Sequence, residues 1–510
     1  MDTKGKCRAL NAQALETDMK RIYVTIFGLL FIAGCYFFPY SADIVSEKYN
    51  PSSLQQDFNV FRAVLQKGHP GIYTYASKEE MDQCFDSIYQ TLSAPMDMRA
   101  FHHKLSFIID KIGCSHTNLY LPKTYYDTIL HRPNFFPVPV IYVDGGLYIN
   151  SDAFGIPLGA HIIRINGNTA EEIMNRIIDY NVPDGRNKNY NLSQGASEFA
   201  YNYFLAYGPC VNFKVEYALP GAAKNEKLTI AATTLEKQLA DYNYNSYYNF
   251  SSEVGYDFEI IDSIHTAVLT LRSFGYGTSA TFTAYKNFLI NSFTLLKNES
   301  GVNNLIIDCR NNIGGEYENI FLLYRFLSKK AFKEVDSATV RFDRTPYTRF
   351  LDPEFALAER PSLDSMVKTE FCRLPNGDNA MKEDENNLRR PHPMAFDGNV
   401  FVITNNNVLS AASNFVAMVK DTKTGIIVGE TTGGGYNSHN GFTRLLYKLP
   451  QTGLLLEFSA VKVQHYLQHP QLNKFGIEPD YPVSITLNDV LENQDPQMAF
   501  IMDSLIKTER

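Results

Sequence analysis

The stretch NVFVITNNNVLSAASNFVAMVKD, residues 399–421, is an apolar run, a polar turn and an apolar-periodic segment in succession. Asn399 to Thr404 reads as a buried strand and the residues from Ser410 onward as a helix, so the chain contains a strand–turn–helix unit of an α/β fold. Ser410 opens that helix. A hydroxyl at such a turn lies beside backbone N–H groups that have no intrahelical partner, and these can stabilise a developing oxyanion. Serine is also a favoured capping residue, so the same position reads as a plain N-cap too.

A second unit of the same kind lies upstream in LIIDCRNNIGG, residues 305–315, followed by a periodic segment carrying Ile320, Leu322, Leu323 and Phe326. Gly314 and Gly315 have no Cβ, so backbone there approaches a ligand closely and offers N–H donors. A third stretch, GCSHTNLYLP at residues 113–122, sets His116 just past a helical pattern of Phe101, Leu105, Ile108, Ile109 and Ile112. An imidazole titrates near neutrality, so it can take a proton from a serine and return it later. Ser115 beside it can orient that base. Each stretch alone also has an ordinary structural reading as a turn, a cap or a loop histidine.

Taken in order, these stretches resemble the C-terminal processing (tail-specific) serine peptidases, and within them the tricorn-core branch. LIIDCRNNIGG is similar to the family's strand and glycine turn. SAASNFVAMVKD followed by IIVGETTGGG is similar to its nucleophile helix, next strand and following loop, with Asp421 and Gly429–Glu430 at the matching spacing. The resemblance implies a multidomain α/β chain whose catalytic domain is a crotonase/Clp-protease-like ββα superhelix. It further implies Ser410 as nucleophile, His116 as general base and Ser115 as its auxiliary. The oxyanion would face the N–H of Ala411 and that of Gly314 or Gly315. No cofactor or metal is implied.

Departures from the pattern shape the mechanism. The base of the family's Ser–Lys branch would fall at Gly435, so a Ser–His mechanism is expected instead. The tricorn-type tetrad also uses a Glu in a segment that here reads QLNKFGIEPD, and Asn473 stands at its position. An amide orients an imidazole but carries no charge to balance an imidazolium. His439, in the loop after Gly433 to Gly435, is a second candidate base.

With 510 residues, 45% of them hydrophobic, the chain can bury several cores, and its formal charge of -8 argues against nucleic acid as partner. Lys20 and Arg21 precede the apolar run Ile22 to Ala33, the layout of a secretory signal, and Met19 offers an alternative start. IAGC resembles a lipoprotein processing box that would lipidate Cys35; alternatively residues 22–40 form a retained membrane anchor. Either arrangement implies export to a bacterial cell envelope. The cysteines beyond it, Cys84, Cys114, Cys210, Cys309 and Cys372, form no disulfide or zinc pattern. Cys114 reads as a small buried apolar residue.

The expected organisation is a leader at 1–50, a helical cap at 51–130 carrying Ser115 and His116, a PDZ-like module at 131–240, a catalytic domain at 254–490 and a C-terminal helix at 491–510. Gly145 to Ile149 is the candidate carboxylate-receiving turn of the module. The Tyr- and Asn-rich stretch 241–253 reads as a linker, and residues 345–395 as an insertion forming a lid or an assembly contact. Two functions compete: a serine peptidase acting on peptides or proteins, and a catalytically impaired surface lipoprotein that holds a ligand in the same cleft. A crotonase-like acyl-transfer enzyme acting on thioesters is disfavoured, since neither a basic nucleotide-binding patch nor a cytosolic address is seen. The oligomeric state is not set by the sequence.

Overall fold

The computed structural model describes residues 45–222, 224–245, 255–298, 301–471 and 474–506. Residues 1–44 of the leader, Cys35 among them, and Asn473 lie outside the described residues. Three helices come first: α1 (Pro51–Gly68), α2 (Lys78–Gln90) and α3 (Met98–Ile112). Each starts on a side-chain cap, from Asn50, Ser77 and Asp97, which satisfies first-turn N–H groups. Their apolar faces, including Leu54, Phe58, Phe61, Phe85 and Phe101, are fully buried. Helix α3 stops at Gly113, whose φ of +70° is the left-handed conformation that ends helices. Strand β1 (Thr117–Tyr120) follows at once.

The next unit is an antiparallel sheet of β2 (Val140–Val143), β3 (Gly146–Ile149), β4 (His161–Ile165), β5 (Asn212–Ala218) and β6 (Glu226–Ala231), in that spatial order. Helices α4 (Ala170–Ile177) and α5 (Lys188–Ser197) lie between β4 and β5 in the chain. Alternation along the strands puts Ile149, Ile162, Phe213 and Val215 into one core with Phe136 and Phe199. The suggested receiving turn is corrected: Asp144 and Gly145 form a two-residue hairpin turn, and Gly146–Ile149 is a strand between β2 and β4. A strand flanked on both sides has no open edge for a peptide. Leu235–Asn245 is helical, so the linker expected at 241–253 begins inside a helix.

The last unit holds the stretch quoted first. Its main sheet runs β7 (Tyr256–Ile261), β8 (Thr266–Leu271), β9 (Asn304–Asp308), then β13 (Asn399–Thr404), β14 (Ile426–Gly429) and β17 (Tyr481–Pro482). All neighbours but β7 and β8 are parallel. Parallel strands are covered on both faces, which is why they read as unbroken apolar runs. Leu269, Ile307 and Val402 pack with helices α6 (Ser279–Asn298), α7 (Tyr317–Arg325) and α9 (Ser410–Asp421). Val268, Ile306, Phe401 and Val428 pack with Ile501 and Ile506, which follow α10 (Pro496–Phe500).

A second sheet in this unit holds β10 (Val335–Val340), β15 (Ser438–Lys448) and β16 (Leu455–His465). The insertion at 345–395 adds α8 (Arg360–Glu370), β11 (Phe371–Arg373) and β12 (Asn379–Met381), and its strands extend this sheet beyond β10. Strand β1 also pairs with β16, from Thr117 against Phe458 to Tyr120 against Leu455. That pairing fastens the residues just after His116 to the same body as Ser410. Among the described residues, no helix is long and apolar enough to cross a membrane.

Candidate active site

Strands β9 and β13 are adjacent and parallel, so the turns leaving their carboxyl ends lie side by side, the usual place for a site in such sheets. The two turns are laced together. Asn405 Oδ1 accepts the Asn311 N–H at 3.0 Å, Asn405 Nδ2 donates to Asn311 Oδ1 at 2.8 Å, and Leu409 N–H donates to Asn312 O at 3.1 Å. This lacing holds Ser410 at φ +51°, a left-handed conformation that costs a residue with a Cβ ~1–2 kcal/mol. The plain N-cap reading fails, because Leu409 occupies the cap position without a side-chain bond and the Ser410 hydroxyl turns elsewhere.

It turns to His116. The Ser410 Oγ lies 3.1 Å from His116 Nε2, across 294 positions of sequence, and the Ser115 Oγ lies 3.1 Å from His116 Nδ1. The ring is held between the left-handed end of α3 and the clamped strand β1. Burial pushes its pKa below the ordinary histidine value, while Asp184 and Glu457 pull it back up. A neutral imidazole with Nε2 facing a hydroxyl is the form a general base needs. Cys114 next door is buried, which raises its thiol to about 12 and keeps it protonated.

Asp184 was not singled out by its sequence context. It is 2% exposed, and its Oδ1 accepts the Ser115 N–H at 2.9 Å. The loop that carries it is tied into the site: Asp184 N–H donates to Gly433 O at 2.9 Å, and Gly185 N–H to Gly113 O at 2.9 Å. Arg186 donates to the carbonyls of Asp110 and Lys111 at the end of α3. An Asp in a Pro-Asp-Gly stretch usually marks a turn, so nothing local set it apart.

The glycine turn divides its two amides. Gly314 N–H donates to Asn312 Oδ1 at 3.0 Å, so of the two candidates Gly314 is corrected from oxyanion donor to spacer. A Cβ on Gly314 would stand 2.7 Å from Ser410 Cβ and 2.9 Å from Ala411 N, so only glycine leaves that space open. The N–H groups of Gly315 and Ala411 have no acceptor among the described residues. They are the pair free to meet an oxyanion.

His439 stands near but is engaged on both nitrogens. Its Nε2 lies 2.5 Å from the Tyr317 hydroxyl and its Nδ1 2.7 Å from His465 Nε2, while His465 Nδ1 lies 2.6 Å from Tyr436 O. One proton arrangement satisfies all three contacts: Tyr317 O–H, His439 Nδ1–H and His465 Nδ1–H each donate in turn. Burial holds His439 far below the ordinary value. Its ring stacks on that of His116 at 5.9 Å between centroids, and neither of its nitrogens faces Ser410. At Gly435 a Cβ would lie 2.5 Å from Ser438 O and 2.8 Å from the Tyr75 hydroxyl, so no lysine fits there. Asp421 accepts the N–H groups of Gln468 and His469 and serves the fold.

Known proteins resemble this chain in its fold and in one segment of its sequence. The fold is similar to that of mature CPAF in complex with lactacystin, with a TM-score of 0.60 at 14% identity over 90% of this chain and 98% of that one. A second structure of mature CPAF gives a TM-score of 0.56 at 14% identity, over 90% of this chain and 97% of that one. A photosystem II D1 C-terminal processing protease superposes more loosely, with a TM-score of 0.39 at 15% identity over 85% and 93%. No curated protein sequence matches the chain. Residues 265–483, which contain the glycine turn and Ser410 but not His116 or Asp184, match the profile of peptidase family S41. That segment, with its glycine turn and the Ser410 helix, is similar to the tail-specific serine peptidases of family S41 and supports the resemblance read from the sequence.

Proposed function

We propose that this protein is an exported serine peptidase that cleaves peptide bonds through a Ser410–His116 acyl-enzyme mechanism. The observation that carries the reading is the 3.1 Å approach of the Ser410 hydroxyl to His116 Nε2. Ser410 Oγ attacks the carbonyl carbon of a peptide substrate as its proton passes to Nε2. The tetrahedral oxyanion meets the N–H groups of Gly315 and Ala411, where loss of one donor typically costs on the order of a hundredfold to a thousandfold in turnover. His116 then gives the proton to the leaving amine, and water, activated by the same ring, hydrolyses the ester.

In this reading residues 254–490 are the crotonase/Clp-like catalytic domain, 131–240 a PDZ-like module and 51–130 the cap that brings the base. A serine-directed fluorophosphonate tests it. Labelling of the wild type that disappears in Ser410→Ala and falls sharply in His116→Ala is the expected result. A folded wild type that takes no label would instead favour a ligand-holding relative without catalysis.

Export rests on Lys20, Arg21 and the apolar run to Ala33, with Cys35 as the lipidated residue. Metabolic labelling with a radioactive fatty acid should mark the wild type and leave Cys35→Ala unmarked. Equal labelling of both forms would remove the lipoprotein assignment.

A further inference from the structure

We propose that Asp184 supplies the carboxylate of this site, a positioning residue that acts through Ser115 to orient His116 and to balance the imidazolium formed when Ser410 attacks. The proposal rests on the Ser410–His116 reading above. Its first support is placement. An Asp184 oxygen lies within 4.8 Å of a His116 ring nitrogen, and Oδ1 holds the Ser115 backbone at 2.9 Å. Burial raises the Asp184 carboxyl above its ordinary value, and His116, the Ser115 N–H and hydroxyl and the Gly435 N–H, which face it, pull it back toward the charged form.

The second support is an oxygen left over. Asp184 Oδ2 is buried and has no partner at hydrogen-bond geometry, a state that calls for a physical reason in a packed interior. The Ser115 hydroxyl offers one. For His116 Nε2 to accept the Ser410 proton, Nδ1 must carry its own hydrogen and donate it to Ser115 Oγ. That leaves the Ser115 O–H free to turn toward Oδ2. During attack one proton moves, from Ser410 Oγ to His116 Nε2; the Nδ1 proton and the Ser115 proton stay on their atoms, and Asp184 remains an anion.

Other carboxylates near the site are committed elsewhere. Glu457, on β16, also acts on His116, but it is bound by the Tyr120 hydroxyl at 3.3 Å and Arg444 at 3.2 Å. Glu430 accepts the Asn406 N–H at 3.4 Å, and Asp421 caps Gln468 and His469. The stacked His439 is held neutral by burial, and Cys114 and Tyr75 are protonated neighbours with raised pKa. Asp184 is thus the acid that both touches Ser115 and faces the ring. It reaches the site from the loop between α4 and α5, far from the position where the family pattern expects an acid.

Asp184→Asn keeps the shape and removes the charge. Turnover of a peptide substrate should fall on the order of a hundredfold with little change in KM. Independently of activity, the NMR titration midpoint of the His116 ring should move to lower pH, because the anion that favours imidazolium is gone. Ser115→Ala leaves the charge but breaks the path, so turnover should drop about tenfold or more while the midpoint moves less. An unchanged His116 midpoint in a folded Asp184→Asn, or turnover within about twofold of wild type, overturns the proposal. If Asp184→Asn does not fold, Ser115→Ala decides: wild-type turnover overturns it. A midpoint that shifts in a protein that takes no fluorophosphonate upholds the Asp184–His116 coupling while the peptidase reading fails.

Discussion

Ser410→Gly should abolish hydrolysis and at the same time make the protein more stable than Ser410→Ala. Loss of the nucleophile in a serine peptidase removes on the order of 10⁶ in turnover, since neighbouring groups cannot act without it. The stability half follows from the backbone. Ser410 sits at φ +51°, where a Cβ crowds the following carbonyl at a cost of ~1–2 kcal/mol. Glycine removes that cost but adds freedom to the unfolded chain, ~0.4–1 kcal/mol in the other direction. The net gain of about 1 kcal/mol or less should appear as a higher denaturation midpoint for the Gly variant than for the Ala variant, which keeps the Cβ. Equal midpoints would mean that the strain at Ser410 is no larger than the ~0.4–1 kcal/mol that glycine adds to the freedom of the unfolded chain. The same comparison separates two uses of one residue, because hydrolysis is lost in both variants while the strain is relieved in one. Strain held at Ser410 trades stability for a hydroxyl fixed against His116.

Much of this arrangement is legible in the sequence, for reasons that differ from residue to residue. The runs at 305–307 and 399–404 announce buried parallel strands because both faces are covered, and the periodic segments after them announce helices. Ser410, His116 and the glycine pair stand at element ends, where a polar or small residue interrupts an apolar pattern. The sequence signal fails where function depends on a partner far along the chain. Gly314 and Gly315 look alike as letters, yet the side chain of Asn312 takes the amide of one and leaves the other free. His439 reads as a spare base until His465 and Tyr317 are seen on its two nitrogens. Asp184 is hidden in a turn-forming tripeptide, and only tertiary contact brings it to Ser115. The insertion at 345–395 carried no recognisable pattern because its strands are three residues long and borrow their stability from β10.

Asp308→Ala should be the costliest substitution for the fold. Asp308 ends β9 at 2% exposure, between Arg272 at 2.7 Å and Arg310 at 2.8 Å; Arg310 goes on to Asp495 at 2.7 Å, just before α10. Burial alone would raise the Asp308 pKa, but the hydrogen bonds and charges of the two arginines outweigh it and hold the carboxyl well below its usual range. Removing the acid takes from Arg272 and Arg310 the buried carboxylate they share and leaves Arg310 with Asp495 alone, a loss of ~3–5 kcal/mol. The sign with pH follows from the depressed value. The stabilisation is fully present above the unfolded carboxylate pKa of ~3.9 and is lost as pH falls through the lower folded value. Urea unfolding should therefore show a large gap between wild type and Asp308→Ala at neutral pH, narrowing in acid. A gap that stays constant with pH would assign the loss to packing and not to charge. The turn from Cys309 to Gly315 hangs from this cluster, so the variant should also lose fluorophosphonate labelling at temperatures where it is still folded, as the Gly315 amide drifts from Ser410.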